Sequence, residues 1–154
     1  MSNKVYNEFE WAEKELPIIK EFFEKISNNL NQFAKDHNLR IEKYYHDIPG
    51  WEFLFRHPEG GQCYIEILKS DETHVTLMAA MWINEFDSDI AYDKHTNRIL
   101  CSIDGKELIN KLNEILNKVL SWKKRDMEKF QSKKTTMTKE ELEKDLERYP
   151  NPRF

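Results

Sequence analysis

The chain has 154 residues, a length that suits one domain with a packed core and is short for two. Its residues are 39% hydrophobic and 34% charged, with a net charge of −4 at neutral pH. The charged fraction exceeds the roughly 25% typical of soluble domains and indicates long, solvated helices. The weak negative charge argues against general nucleic-acid binding, which depends on a strong basic field. We therefore expect a single domain over 1–154, with flexible ends at 1–8 and 150–154.

The cysteines and the N-terminus predict a cytoplasmic protein without a membrane partner. Cys63 and Cys101 are too few for a disulfide framework and lack the CxxC spacing of redox or metal sites. The first residues contain no apolar run of the kind that a signal peptide requires. No segment approaches the roughly 18 apolar residues of a membrane span.

Helical periodicity opens the chain and fades at Asp36 to Asn38. The apolar residues recur at steps of three and four, which places them on one stripe of a helix. They are Phe9, Ala12, Leu16, Ile19, Phe23, Ile26, Leu30 and Phe33. Pro17 interrupts this stripe, so the main helix either begins near Pro17 or is kinked there.

From Leu39 the apolar period changes to two, which is typical of strands with one buried face. We predict strands over 39–45, 51–56, 63–67, 73–83 and 98–103, and a short one around 90–92. The turn-forming residues 48–51 and 57–61 separate the first strands. Because these connections are short, we expect consecutive strands to be antiparallel neighbours.

Two capping signals predict the helices that follow. Asp104 with Glu107 begins a stripe of Leu108, Leu112, Ile115, Val119 and Trp122, which Met127 and Phe130 extend. Thr138 with Glu141 begins a short last helix. The predicted fold is thus α+β. A meandering antiparallel sheet of four to six strands is flanked by a long N-terminal and a long C-terminal helix, with a short terminal helix.

No enzyme signature is present in the sequence, so we expect no catalytic residue, cofactor or metal. The five histidines form no HExxH pair, and no cysteine lies near enough to them in the sequence to form a zinc knuckle. The acidic positions Glu85, Asp87, Asp89 and Asp93 lack the glycine and closing glutamate of a calcium loop. Cys63 and Cys101 share the parity of core positions, which predicts buried, unreactive thiols. The basic stretch between Lys123 and Lys134 is expected to be a solvated helix end.

The residues that alternate with the predicted core residues along each strand form the most unusual pattern. A one-sided antiparallel sheet should be polar on its solvent face, whereas this set mixes aromatic, aliphatic and charged residues. Such residue types are enriched at interfaces. The candidate binding residues are Tyr44, His46, Leu54, Arg56, Tyr64, Glu66, Met78 and Trp82. Three interpretations stay open: the C-terminal helices cover this face, a protein partner or second copy binds it, or it lines a ligand pocket.

From this face we predict a non-enzymatic protein-binding module that recognises a protein partner or forms a homodimer. The alternative is a small-ligand-binding or catalytic domain, with a pocket lined by His46, Arg56, His57 and Glu66. That alternative requires these four side chains to converge in one cavity.

Overall fold

The computed structural model describes residues 21, 24–44, 50–84, 90–131 and 138–153. Several sequence predictions lie outside these residues: the first part of the N-terminal helix with Pro17, His46, the turn at Ile48 and Pro49, and the acidic positions Glu85, Asp87 and Asp89. The predicted fold class is confirmed, because an antiparallel sheet has one helix before it and further helices after it along the chain.

Helix α1 covers residues 24–37 in the described part of the chain and ends where its apolar stripe fades. Asn38 has a left-handed φ of 55°, which asparagine tolerates better than most residues with a side chain. The amide of Leu39 donates to the Ala34 carbonyl at 2.8 Å, and that of Asn38 to the Lys35 carbonyl at 3.3 Å. This pattern is a Schellman motif, and it turns the chain directly into the first strand.

The described residues form a sheet of seven strands. They are β1 (Arg40–Tyr44), β2 (Gly50–Arg56), β3 (Gln62–Lys69), β4 (His74–Asn84), β5 (Ile90–His95), β6 (Ile99–Ser102) and β7 (Glu128–Gln131). The first four form an antiparallel meander, as predicted. In the turn between β2 and β3, Gly60 has a φ of 93°, a conformation that favours glycine.

The long strand β4 pairs with both β5 and β6 along the same edge. Ala80 is opposite His95 and Leu77 is opposite Ile99, so two residues of β4 face three on the other side. The extra residue makes a bulge, which divides what would otherwise be one strand. Thr96 stabilises the bulge, because its amide donates to the Ala79 carbonyl at 2.8 Å and its hydroxyl accepts from the Ala79 amide at 2.9 Å.

Helix α2 (Gly105–Leu120) begins as predicted, since the Asp104 carboxylate accepts hydrogen bonds from the amides of Lys106 and Glu107. The predicted extension through Met127 and Phe130 was wrong. A 3₁₀ turn (Lys124–Asp126) follows the helix, and the chain then forms β7 against β5. The backbone groups at the edge of β5 form the hydrogen bonds that hold β7 as a strand. The spacing of the few apolar residues in this segment did not indicate this pairing. This strand raises the count one above the expected range.

The core lies between one face of the sheet and helices α1 and α2. Phe53, Ile65 and Leu77 on the sheet and Leu30 and Leu112 on the helices are fully buried. This arrangement follows from alternation in the strands and the 3.6-residue period in the helices. The two cysteines belong to this core as free, buried thiols. Burial raises the pKa of the Cys63 thiol and raises that of Cys101 to about 11, so both stay protonated at neutral pH.

The short terminal helix α3 (Lys139–Leu146) is also confirmed, with Thr138 as its N-cap. The Thr138 hydroxyl accepts from the Glu141 amide at 3.1 Å. None of the residues of α3 is buried, so its position depends on polar contacts and on the residues that follow it. None of the helices in the described ranges combines the length and the apolar character needed to cross a bilayer.

Candidate functional site

We use the term outer face for the side of the sheet opposite α1 and α2. The strand register aligns its side chains in rows that run across the strands. In one row Arg56 of β2 is directly opposite Gln62 of β3, and Gln62 is opposite Trp82 of β4. Residues 138–153, which we call the C-terminal segment, contact all three of these side chains.

The C-terminal segment is attached to the row by both polar and aromatic contacts. The Arg56 guanidinium donates to the Leu146 carbonyl at 2.9 Å and 3.1 Å, and the Gln62 side-chain amide donates to the Asp145 carboxylate. The Tyr149 ring is only 5% exposed and meets the Trp82 ring edge to face, with centroids 6.2 Å apart. The C-terminal segment therefore covers this end of the outer face, in line with the first of the three interpretations.

Residues 150–153, the described part of the predicted flexible end, have specific backbone partners. The Arg56 amide donates to the Pro150 carbonyl at 2.9 Å, and the Arg153 amide donates to the His37 carbonyl at 3.0 Å. The Asn38 side chain also donates to the Asn151 carbonyl. These bonds connect the end of the chain to β2 and to the end of α1.

A row of three glutamates crosses the first strands next to the C-terminal segment. Glu42 is directly opposite Glu52, and Glu52 is opposite Glu66. Arg148 reaches Glu42 at 3.1 Å and Arg98 reaches Glu66 at 3.4 Å, so both ends of the row have cationic partners. The central glutamate has a raised pKa, chiefly because burial desolvates it and also because Glu42 and Glu66 repel its charge.

Replacing Glu52 by glutamine is expected to stabilise the protein at neutral pH. A raised pKa means that protonation favours the folded state, so the stability penalty is absent below the unfolded pKa and grows as pH rises through the folded pKa. We expect a gain of up to about 1 kcal/mol, because solvent screening weakens a half-buried repulsion. Urea unfolding at neutral and acidic pH measures it, with the exposed Glu72→Gln as control. A gain that persists at acidic pH would contradict this explanation.

Beyond the covered row, the outer face contains a groove of about 460 Å³ across β3, β4, β5 and β7. We define the groove by its apolar walls and its polar rim: Tyr64, Met78, Trp82 and Phe130, with Asn84, Asp93 and His95. Alternation along β4 aligns Met78, Ala80 and Trp82 on this side. The Tyr64 and Trp82 rings meet edge to face with centroids 5.4 Å apart, and Phe130 is 45% exposed.

The structure brings together three of the predicted binding residues, Tyr64, Met78 and Trp82, in the groove. Leu54 is fully buried and has no accessible surface to offer a partner. Arg56 and Glu66 belong to the contacts described above. Tyr44 pairs through its backbone with Gly50, and His46 lies outside the described residues.

Sequence reasoning missed Phe130, Asp93 and His95. It assigned Phe130 to a helix, and it treated Asp93 and His95 as parts of an irregular acidic loop. The alternation of Ala91, Asp93 and His95 opposite Asn84, Trp82 and Ala80 was the available signal, but it became informative only once the partner strand was known.

Of the four residues of the alternative pocket, His46 lies outside the described residues, and the other three do not share one set of contacts. Arg56 binds the Leu146 carbonyl and Glu66 pairs with Arg98. His57 is only 3% exposed, and its Nε2 lies 2.8 Å from the carbonyl of Val119 in α2, on the core side of the sheet. Nor do the described residues contain a group of three or more His, Cys, Asp or Glu suited to hold a metal ion.

The described part of the basic stretch, up to Lys129, borders a second hollow of about 710 Å³ near the 3₁₀ turn. Lys124 is already engaged there: its ammonium lies 4.7 Å from the Tyr92 ring centroid, and its amide donates to Glu59 at 3.2 Å. Asp126 and Glu128 alternate with the cations in the sequence and reduce the local positive charge. The stretch thus lies beyond α2 instead of at a helix end as predicted.

The groove is therefore the part of the described structure in which exposed apolar, aromatic and polar side chains converge. Comparisons with known proteins do not add to this geometry. No protein-family model matches the chain, and no curated protein or solved structure shows significant similarity to it.

Proposed function

We propose that this chain is a cytoplasmic, non-enzymatic protein-binding module whose groove on the outer face binds an apolar side chain of a partner protein. The observation that carries the proposal is the exposed aromatic and sulfur-containing lining of the groove, provided by Tyr64, Met78, Trp82 and Phe130. The two buried, protonated cysteines agree with a reducing compartment.

The lining suits a protein partner for physical reasons. Tyr, Trp and Phe bury large areas while losing few rotamers, and all three are enriched at interfaces together with Met. Trp and Tyr are also enriched at binding hot spots. Methionine also adapts its shape to the side chain that it contacts. An apolar anchor of the partner would displace water from the Phe130 and Trp82 rings, and the edge-to-face contact with Tyr64 holds Trp82 in position for it.

The rim of the groove indicates the charge of the partner. Asp93 on β5 is directly opposite Glu128 on β7, and like charges in such a pair repel each other. A lysine or arginine beside the partner's apolar anchor would relieve this repulsion. The net charge of −4 also favours the approach of a basic segment. We therefore expect the partner to present an apolar residue flanked by basic ones.

Two series of synthetic hexapeptides test the proposal. Each peptide contains an internal leucine, phenylalanine or tryptophan, which is flanked by lysines in one series and by glutamates in the other. We expect the lysine-flanked peptides to shift the NMR signals of Met78, Trp82 and Phe130 and to bind more tightly than the glutamate-flanked ones. Phe130→Ala should weaken binding by at least about 1 kcal/mol, the usual threshold for an important interface residue. Isothermal titration calorimetry measures the affinities.

Leu100→Ala is the matched control, because Leu100 is the other exposed large apolar residue among those that the structure describes and lies outside the groove. This variant should bind the peptides as the original chain does. If no peptide shifts the groove signals at millimolar concentration, or if Phe130→Ala binds with unchanged affinity, the proposal is wrong.

A small apolar ligand is the second candidate, because a volume of about 460 Å³ falls within the range of ligand pockets. The dye 1-anilinonaphthalene-8-sulfonate serves as the probe. Dye binding that Phe130→Ala abolishes, together with an absence of peptide binding, would favour a ligand site over a protein-binding site.

A further inference from the structure

In the described structure, strand β6 presents an edge of the sheet whose own four residues include none of the charged residues or prolines that usually protect an edge against pairing with another chain. Natural edge strands carry charged residues, prolines or bulges that discourage such pairing. Strand β1 includes Arg40, Glu42 and Lys43, and β7 includes Glu128 and Lys129. Strand β6 has the sequence ILCS, with no charge, proline or glycine, and its Leu100 is 61% exposed.

The hydrogen bonds of β4 establish which way the backbone of β6 points. The His74 carbonyl accepts from Ser70 and Asp71 on the β3 side, whereas the Ala79 carbonyl accepts from Thr96 on the opposite side. Backbone groups alternate along a strand, so Val75 and Leu77 also point toward β6. Their partners are Cys101 and Ile99, which therefore direct their own backbone groups toward β4.

Leu100 and Ser102 consequently direct their amides and carbonyls away from β4, toward the free edge. The Ser102 carbonyl accepts from the Cys101 thiol at 3.3 Å. Within the described ranges, no residue outside β4 hydrogen-bonds to the Leu100 backbone. The edge thus combines an exposed apolar side chain with outward backbone groups that are available for pairing.

We propose that β6 pairs in antiparallel fashion with β6 of a second copy of this chain, about a two-fold axis at Leu100. In this arrangement the Leu100 amide of each copy donates to the Leu100 carbonyl of the other, and the two leucine side chains meet across the axis. Arg98 is then opposite Ser102 of the second copy. The sheet continues through the axis without a change in either chain.

The charges near the edge favour a second copy of this chain. Arg98 has Asp104 of the second copy as its diagonal neighbour, within reach of a long side chain. This attraction adds to the ion pair of Arg98 with Glu66 and to the capping bonds of Asp104 within each chain. The symmetry creates this attraction twice. The two Arg98 residues lie four positions apart along the paired strands, about 13 Å, which exceeds the distance of roughly 8 Å over which salt screens charges. No like charges are therefore placed directly opposite each other.

Sedimentation equilibrium and amide hydrogen exchange test the pairing from micromolar to millimolar protein. We expect concentration-dependent dimerisation in which the Leu100 amide becomes protected as the dimer forms, while the inward amides of Ile99 and Cys101 are protected throughout. Leu100→Lys places two ammonium groups across the axis and should weaken dimerisation at least about fivefold. Phe130→Lys, a matched change at an exposed apolar residue on another strand, should leave it unaltered.

A chain that stays monomeric at millimolar concentration, with a freely exchanging Leu100 amide, would overturn the proposal. So would a dimer that Phe130→Lys disrupts and Leu100→Lys does not, since it would form through the groove. The proposal does not depend on peptide binding in the groove, because Leu100 and Phe130 lie on different strands and the two variants report on the two surfaces separately.

Discussion

Replacement of Tyr149 by alanine is expected to lower the free energy of unfolding by about 2–4 kcal/mol and to release the C-terminal segment from the outer face. Tyr149 is the buried aromatic residue of a segment whose helix, α3, buries none of its own residues. The apolar attachment of the segment to the sheet therefore depends strongly on this ring and its contact with Trp82.

The polar contacts of the segment cannot replace the ring. The ion pair between Arg148 and Glu42 is about half exposed on the arginine side, and such pairs contribute little stability. The bonds from Arg56 to the Leu146 carbonyl and from Gln62 to Asp145 require the segment to be in place already. We therefore expect these bonds to be lost together with the ring.

The Arg56 amide is the direct reporter of this release, because it donates to the Pro150 carbonyl. Its hydrogen exchange should accelerate in Tyr149→Ala because of the local release. The exchange of the amides in the central strand β3 should change only as much as the global free energy of unfolding changes. Urea denaturation measures the free energy of unfolding.

Tyr149→Phe keeps the ring and should retain both the stability and the slow exchange at neutral pH. Burial and the nearby Asp145 carboxylate raise the pKa of Tyr149 to about 12, so its hydroxyl is neutral there. Glu147→Ala changes an exposed residue of the same segment and should have little effect. Unchanged exchange of the Arg56 amide in Tyr149→Ala would show that the ring does not hold the segment.

Trp82 links the covered end of the outer face to the groove. Its ring contacts Tyr149 of the C-terminal segment and Tyr64, and it is also part of the groove wall. Release of the segment therefore removes one aromatic contact that holds the Trp82 ring. For this reason we expect Tyr149→Ala also to weaken the peptide binding proposed for the groove.

The alternating pattern of the central strands made much of the fold predictable. Within each of these strands apolar residues recur at every second position, and these residues lie in the core. The pairs are Phe53 with Phe55, Ile65 with Ile67, and Leu77 with Ala79. The capping residues Asp104 and Thr138 begin their helices as expected, because their side chains bond to nearby amides without requiring tertiary contacts. Local physical rules were sufficient for these elements.

The site could be predicted only in part, because it depends on contacts between distant parts of the chain. Alternation along the strands correctly placed Trp82 and Met78 on the face opposite the core residues. Strand β7 adds Phe130 to the groove because it pairs with β5. The sequence of a strand of only four residues does not indicate such a pairing. Likewise, the polar sequence of α3 gives no indication that Tyr149 beyond it packs on Trp82.

His57 shows how a residue that looks like a ligand in the sequence can connect two elements of the fold. Its Nδ1 accepts from the Glu59 amide at 3.0 Å, and its Nε2 lies 2.8 Å from the Val119 carbonyl. A carbonyl can only accept, so the ring is the neutral tautomer with its proton on Nε2. The ring thereby attaches the turn between β2 and β3 to the last turn of α2.

His57→Phe is expected to destabilise the protein by about 2–3 kcal/mol at neutral pH, because the Glu59 amide and the Val119 carbonyl each lose a buried partner. Desolvation lowers the pKa of His57, although the Val119 carbonyl and the Glu59 carboxylate oppose this shift. The stability that neutral His57 provides is therefore present above the unfolded pKa of 6.5 and is lost as pH falls through the lower folded pKa. The difference in unfolding free energy between His57→Phe and the original chain should shrink as the solution is acidified below that range.

Urea denaturation at a series of pH values measures it, with the exposed His95→Gln as a control that should follow the original chain. A difference that is constant with pH would show that the neutral ring is not the source of the stability.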